Sequence, residues 1–191
     1  MHKKFYHGTT KKMIVAFSTV FDAITIDLDN GKEITVPLHY AQAEKFLQKI
    51  NKYSDLEDTI KPIAMPVMGF EWVSMNYEPE RHTNTMNKMQ DRKLQNERKY
   101  MYNRTPVAWN FELYVAVQRL NDGLKIIEQI IPFFTPHLNL RVRGVEEIDE
   151  PDNVQLILTS FSHDINYADG MDEIRNIVFQ FSFTLKGYLY Q

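Results

Sequence analysis

The sequence predicts an α+β fold, with a mainly antiparallel sheet of long strands and about three flanking helices. Alternating apolar and polar residues run through 107–117 and 177–189, well beyond the common strand length of about 5–6 residues. Three other segments place apolar residues at helical spacing. No linker or internal repeat divides the chain, so residues 1–191 are predicted to form a single domain.

The first helix is predicted to begin after Thr9 and Thr10, either of which can cap it. Its apolar positions fall on one face, at Met13, Ile14, Phe17, Val20 and Phe21. A β-hairpin follows. Two short alternating segments flank Asn30-Gly31, a pair that adopts the positive φ angles of a type I′ turn.

A second helix is predicted over about 42–52, although no residue offers an obvious cap for its start. Its apolar face consists of Ala43, Phe46, Leu47 and Ile50. The next segment, 61–77, is rich in β-forming residues but contains Pro62, Pro66 and Gly69. These residues favour an irregular or edge strand with a bulge.

Residues 78–104 lack apolar periodicity, and they are predicted to form a long polar loop inserted into the domain. A connection of this length is typical of a functional or disordered segment. A solvated helix over 88–99 is an alternative for part of it.

After the strand at 107–117, a third helix is predicted, capped by Asn121 or Asp122 and ended by Pro132. Its predicted buried face is Leu124, Ile127 and Ile131, with Ile126 and Ile130 adjoining. A short strand or connection, a strand at 154–163 and a final strand of about 14 residues complete the chain. Strands that extend beyond their own sheet are predicted sites of pairing between subunits.

The composition excludes several chemistries. The chain has no cysteine, which removes disulfides, thiolate metal sites and cysteine nucleophiles. Its histidines are scattered, and it carries neither a phosphate-binding glycine loop nor a nucleophile elbow. No apolar stretch approaches the roughly 20 residues that span a bilayer. We therefore predict no enzyme, no cofactor, no metal site and no membrane contact, with an enzyme of unrecognised site as a weaker alternative.

Charge is segregated along the chain. Residues 81–104 contain seven Lys or Arg against two acidic residues, whereas 146–173 contain nine acidic residues and no Lys or Arg. Complementary charges between subunits or partners favour register and fast encounter. Two solvated loops, or a basic loop facing a DNA channel, are alternatives. The candidate interface residues are Arg92, Lys93, Arg98, Lys99, Arg104, Glu146, Glu147, Asp149, Glu150, Asp152, Tyr188 and Tyr190.

Tyr188 and Tyr190 enter that set as candidate interface anchors, because tyrosine suits half-buried contacts between proteins. Ordinary strand aromatics are the alternative for both. The whole chain is rich in such rings, with 12 Phe and 10 Tyr. Its net charge of −3 does not indicate a general nucleic-acid binder.

Four segments, in this order, resemble the tail sheath stabiliser and completion protein family of contractile-tailed bacteriophages. They are FYHGTTKK, ITVPLHYAQAEKFLQKINK, TPVAWNFELYVAVQRLNDGLKIIEQIIPFFTPHLN and RNIVFQFSFTLKGYLY. The family's members are ring-forming tail terminators. The resemblance therefore implies a tail-terminator-like domain and a function in virion assembly.

The resemblance also implies a location and partners. The protein would form a ring, expected to be a hexamer, at the head-proximal end of the virion tail after assembly in the host cytoplasm. Its expected partners are its own copies, the tail tube or a tube terminator, the tail sheath protein and a head-completion or neck protein. Genome DNA would pass through the ring without specific binding. A neck adaptor, a terminator of a non-contractile tail and a DNA-binding module are the alternatives.

Overall fold

The computed structural model describes residues 6–27, 31–54, 65–82, 84, 88–90, 100–102, 104–144, 151–166 and 176–190. Its helices are α1 (Thr9–Phe21), α2 (Ala43–Ser54) and α3 (Leu120–Ile130), with 3-10 turns at Pro79–Arg81 and Ile131–Phe133. Its strands are β1 (Thr25–Asp27), β2 (Glu33–Thr35), β3 (Leu38–Tyr40), β4 (Val67–Tyr77), β5 (Lys88–Gln90), β6 (Tyr100–Tyr102), β7 (Thr105–Val117), β8 (Leu138–Val142), β9 (Asp152–Asn166) and β10 (Asn176–Leu189).

Six strands form the main sheet in the order β3-β4-β7-β10-β9-β8. The short strand β3 pairs parallel with β4, and the other pairs in this sheet are antiparallel, so the sheet is mixed. The pairs β1–β2 and β5–β6 form two separate small sheets. A mixed sheet with these helices is consistent with the α+β prediction.

One side of the main sheet, here called the apolar face, carries the core. Successive residues of a strand point to opposite sides, so Trp109, Phe111, Phe181 and Phe183 share this face. Helix α1 packs on it. The ring of Phe17 stacks on Phe111 with the ring centroids 4.4 Å apart, and contacts Phe183 edge-on at 5.5 Å.

The buried face of α1 confirms Met13, Phe17 and Phe21, but the predicted threonine cap is wrong. The helix already includes Thr9 and Thr10, and its N-cap is Gly8, whose φ of 62° is one that glycine adopts readily. No side chain caps this helix end. The hydroxyl of Thr10 instead accepts a 3.4 Å hydrogen bond from the Trp109 indole, which links the helix start to the sheet.

The opposite side of the sheet, here called the polar face, carries α2 over one end. Phe46 and Ile50 of α2 pack there in a small cluster with Val67, Tyr114 and Ala116. The second helix is thus confirmed. Its missing cap comes from a distant strand. A carboxylate oxygen of Glu71 accepts a 3.2 Å hydrogen bond from the Ala43 amide, where a negative charge also suits the helix dipole.

Helix α3 is confirmed, and it ends just before Pro132 as predicted, but its predicted buried face is partly wrong. Leu124 is 45 % exposed and Ile131 only partly buried, while Ile126, Ile127 and Ile130 are buried. The cause is Gly123. A Cβ added there would lie 2.3 Å from Phe179 Cε2, so the glycine lets the helix lie directly on the sheet. The stripe beginning at Gly123 therefore faces inward.

The predicted cap of α3 is also wrong. The N-cap is Arg119, and Asp122 lies inside the first turn, where its buried carboxylate still sits at the favourable end of the helix dipole. The Asp122 carboxylate also forms an ion pair with Lys125, which lies three residues later in the helix, and Lys125 Nζ is 4.0 Å from Asp122 Oδ1. Asn121 and Asp122 thus belong to the helix itself.

The remaining local predictions have mixed outcomes. The first hairpin is confirmed, with Ile26 opposite Ile34, although most of its turn lies outside the described residues. A bulge interrupts β4 between Trp72 and Ser74, as predicted. Within the polar loop, Lys88–Gln90 form strand β5, so a helix there is wrong, and 91–99 lie outside the described residues. No helix in the described ranges is long and apolar enough to cross a membrane.

Candidate interaction site at one end of the sheet

The structure describes four of the predicted interface residues, namely Arg104, Asp152, Tyr188 and Tyr190. The other eight lie outside the described residues, at Arg92, Lys93, Arg98, Lys99, Glu146, Glu147, Asp149 and Glu150. The four described residues share one end of the main sheet. Antiparallel pairing places the last residues of β4 and β10 beside the first residues of β7 and β9.

We call this region the charged end, defined as Lys12, Glu78, Arg81, Arg104, Asp152, Lys186, Tyr188 and Tyr190. Asp152 lies near its centre with only 8 % of its surface exposed. Its Oδ1 lies 2.5 Å from Arg104 Nη1, and its Oδ2 accepts a hydrogen bond from the Tyr190 hydroxyl. A buried carboxylate needs such partners, because losing water without replacement bonds is costly.

Gly144 allows this arrangement. A Cβ added at that residue would lie 2.4 Å from the Tyr190 ring and 2.9 Å from Asp152 Oδ2. Its carbonyl oxygen also accepts a 3.2 Å hydrogen bond from Lys12 Nζ. The start of α1, the end of β8 and the end of the chain's last strand therefore meet at one point.

The ring of Tyr188 contacts two cations. The guanidinium carbon of Arg104 lies 4.0 Å from the ring centroid and that of Arg81 lies 5.0 Å from it, both within cation–π range. Arg81 also donates to Glu78, and Lys186 Nζ lies 3.6 Å from the same carboxylate. Burial lowers the pKa of Arg81, but hydrogen bonds to Glu78 and Tyr188 outweigh it, so its pKa is raised and the cation persists.

The structure thus brings together residues that lie far apart in the sequence. Arg104 ends the basic stretch and Asp152 belongs to the acidic one, and the two pair within a single chain. The basic stretch thus ends next to the start of β7, the acidic stretch includes the start of β9, and β10 lies between these two strands. A role of these residues in contacts between subunits stays a prediction.

Four members of the charged end are absent from the predicted interface residues, namely Lys12, Glu78, Arg81 and Lys186. Glu78 and Arg81 are spaced by three residues after a strand, a spacing that can join two side chains over one turn. That signal is weak by itself. Lys186 has no such signal in the sequence. It lies near Glu78 because of the register in which β4, β7 and β10 pair.

A separate cavity of about 560 Å³ lies where β3 meets α2. It is lined by His39, Tyr40, Ala41, Gln42, Lys45, Phe46 and Val67. The polar side chains among these described lining residues are His39, Tyr40, Gln42 and Lys45, and no carboxylate is among them. Nowhere in the described part of the chain do three or more His, Asp or Glu cluster as metal ligands.

A sheet with a packed apolar face and a charged end offers surfaces for contacts, but this geometry alone does not assign a function. Comparison with known proteins identifies the family. The family model described as "T4-like virus Myoviridae tail sheath stabiliser" matches residues 4–191, and the chain belongs to that family. It is 28 % identical over 195 residues to the tail completion protein gp15 of Enterobacteria phage T4, and the match covers 97 % of this chain and 72 % of the T4 protein.

The family resemblance noted in the sequence is thereby confirmed. The protein is a bacteriophage tail structural protein, a class that points away from catalysis.

Proposed function

We propose that copies of this chain form a ring, expected to be a hexamer, at the head-proximal end of a contractile tail. The ring terminates and stabilises the tail tube and sheath, and it docks the tail to the neck of the head. The observation that carries this proposal is the family match, which spans residues 4–191. Assembly takes place in the host cytoplasm, before the tail joins the head.

The geometry supports a ring in two ways. A rigid body suits a terminator, and the aromatic core of the apolar face provides one, with Trp109, Phe111 and Phe181 fully buried. The main sheet also has two different sides, with β3 and β4 at one and β8 and β9 at the other. A head-to-tail contact uses two unlike surfaces, and it forms a closed ring when the rotation between copies closes.

The proposed partners follow from the position of the ring. One side meets the tail tube, or a tube terminator, together with the sheath protein, and the other side meets a head-completion or neck protein. Genome DNA passes through the centre. A chain of net charge −3 offers little general attraction to phosphates, which suits passage without specific binding.

The decisive experiment measures the mass of the purified protein over a range of concentrations and images the particles by electron microscopy. We expect closed rings of one size that cap tail tubes and hold extended sheath when those proteins are added. A protein that stays monomeric throughout and binds no tail component would overturn the proposal. A ring that caps tubes but never contacts sheath would favour the terminator of a non-contractile tail.

Salt provides a second test, aimed at the charged loops. If opposite charges on neighbouring copies guide assembly, the ring should dissociate at high salt and low protein concentration. A ring mass that stays constant from low to high salt would contradict that role. Neutralising Arg92, Lys93, Arg98 and Lys99 tests the DNA-binding alternative, which requires salt-dependent DNA binding that this change abolishes.

A further inference from the structure

The two outer strands of the main sheet are shorter than the strands they cover. β3 pairs with only Met68–Phe70 of β4, and β8 pairs with only Asp152–Leu156 of β9. In the described ranges, the outer edge of β4 over 71–77 and that of β9 over 157–166 have no strand partner. We call these two lengths the β4 open edge and the β9 open edge.

The strand register shows that β3 lies level with the β9 open edge. Residues that pair from each strand to the next across the sheet form one row, which contains Tyr40, Phe70, Leu113, Phe181 and Phe161. Tyr40 stands at one end of this row and Phe161 at the other. Strand β3, on one side of the sheet, therefore lies at the same position along the strand direction as the β9 open edge on the opposite side.

A second row gives the converse relation. It runs through Met75, Trp109, Leu185, Leu156 and Leu138. Met75 belongs to the β4 open edge and Leu138 to the outer strand β8. The two sides of the sheet thus have complementary steps, each with an outer strand where the other side has none.

We propose that neighbouring copies join through these steps, so that β3 of one copy pairs with the β9 open edge of the next. In the same contact, β8 of that next copy pairs with the β4 open edge of the first. This inference rests on the proposed ring and specifies how its subunits meet.

The strand directions suit such a joint. β3 runs with β4 and against β9, so β3 and the β9 open edge would pair antiparallel, whereas β8 and β4 would pair parallel. Because both steps match at equal heights, the contact needs no shift along the strands. A head-to-tail contact without such a shift can close into a ring, whereas a shift at each step would build a helix.

Both sides of the sheet carry large apolar side chains that are exposed. Tyr40 is 57 % exposed and Phe161 40 %, while Met75 and Tyr77 of the β4 open edge are 44 % and 56 % exposed. All four lie in rows whose other members point to the apolar face. An uncovered edge with exposed apolar side chains favours pairing with another strand. The proposed joint would place Tyr40 beside Phe161 and Met75 beside Leu138.

The absence of cysteine from the chain makes a crosslinking test possible. The double variant Tyr40→Cys with Phe161→Cys places one thiol on β3 and one on β9. Within one chain these strands are separated by four strand spacings, roughly 19 Å at about 4.8 Å each. A disulfide requires Cα atoms within about 7 Å. Directly opposed residues of paired antiparallel strands lie about 4.5–5.5 Å apart, so a bond can form only between copies.

Under mild oxidation, we expect the double variant to form a ladder of covalent multimers that ends at the ring size and collapses on reduction. The matched control, Phe161→Cys with Glu128→Cys, places the second thiol on an exposed position of α3 and should give no ladder. A ring of normal mass without a ladder would overturn the joint but leave the ring standing. Abundant dimers of the single Phe161→Cys variant would mean that β9 pairs with itself, and would also overturn it.

A second variant tests the same edge without crosslinking. Phe161→Lys introduces a charge that opposes edge pairing. The Phe161 side chain is 40 % exposed and its ring lies 4.9 Å from that of Phe181, so we expect some loss of stability but a folded protein. We expect a native circular dichroism spectrum and loss of the ring at concentrations where the unmodified protein is assembled. Glu128→Lys is the matched control and should assemble normally. A Phe161→Lys protein that assembles as well as this control would count against the joint, whereas an unmodified protein that never assembles would defeat the proposed ring itself.

Discussion

The apolar face and the charged end hold their side chains by different means. On the apolar face, Phe17 and Phe183 are almost wholly buried and contact several other rings. At the charged end, Arg104 and Lys186 keep about a third of their side chains exposed and rely on a few directional contacts. Apolar burial is worth about 25 cal/mol per Å², whereas an exposed ion pair contributes about 0–1 kcal/mol. Stability should therefore depend on the first region, and assembly on the second together with the sheet edges.

The largest effect should come from Phe183→Ala. The ring of Phe183 lies 5.0 Å from that of Phe134 and 5.3 Å from that of Phe21, so its removal leaves a cavity in the packed core. We expect the free energy of unfolding to fall by about 3–5 kcal/mol in urea denaturation. Phe133→Ala, at a mostly exposed ring, serves as the control and should change it by under about 0.5 kcal/mol. Equal losses in the two variants would refute the assignment of stability to the apolar face.

The next largest effect on the free energy of unfolding should come from Gly123→Ala. An alanine would gain about 1 kcal/mol of helix propensity at an unconstrained position. Here its Cβ would approach Phe179 Cε2 to 2.3 Å, and we expect overpacking to win, with a net loss of about 1–3 kcal/mol. Thermal and urea denaturation would measure this, with Glu128→Ala on the exposed side of α3 as the control. A stabilised Gly123→Ala protein would show that α3 does not depend on this close approach.

At the charged end, Arg104→Gln should affect the fold less than either change above. Asp152 is buried, but Arg104 keeps 31 % of its side chain exposed, and glutamine retains an amide donor for the carboxylate, so we expect a loss of about 1 kcal/mol in unfolding free energy. The ring should nevertheless become weaker, because the basic loop loses its anchor to Asp152 and Tyr188. Sedimentation at several protein concentrations measures this, and Lys11→Gln removes the same charge from an exposed site as the control. If Arg104→Gln unfolded the protein as Phe183→Ala does, the contrast between the two regions would fail.

The smallest effect concerns Tyr114 on the polar face. Burial, and then its hydrogen bond to Glu112, raise the pKa of Tyr114 above its ordinary value of 10.0, and Glu71 lies 3.1 Å from the hydroxyl. As the pH rises, the Tyr114 hydroxyl therefore loses its proton at a lower pH in the unfolded chain than in the folded one. The stability that the shift contributes is therefore intact below pH about 10 and declines as the pH rises above it.

Urea denaturation between about pH 9 and pH 11 should show this decline. It should be shallower in Tyr114→Phe, which has no proton to lose at this site. Tyr6→Phe, at an exposed ring, controls for tyrosine titration in general and should follow the unmodified protein. A Tyr114→Phe protein that loses stability as steeply as the unmodified one would contradict the raised pKa.

Local patterns predicted several elements well. These elements are the alternating strand β7, the hairpin that turns at Gly31, and the end of α3 before Pro132. Each depends on the steric preferences of a few adjacent residues. The face of α3 was mispredicted because apolar periodicity does not count glycine. Only the ring of Phe179 beneath it makes Gly123 the point of closest approach.

For the candidate site, charge segregation identified the right segments but not their contacts. Arg104 and Asp152 are 48 residues apart, and they meet because strand order places the start of β7 near the start of β9, with β10 between them. The hydrogen bond at the start of α2 could not be predicted for the same reason. Glu71 reaches the Ala43 amide from another strand, so no residue near the start of that helix could have revealed it.

The sequence alone determined the three helices, the long strands β7, β9 and β10, and the family to which the chain belongs. Those properties depend on side-chain periodicity and on steric limits acting over a few residues. Tertiary structure decided which charges meet, which face α3 buries and which lengths of edge stay uncovered. These depend on strand order, register and bulges, which are set by packing across the whole sheet and leave no local signal in the chain.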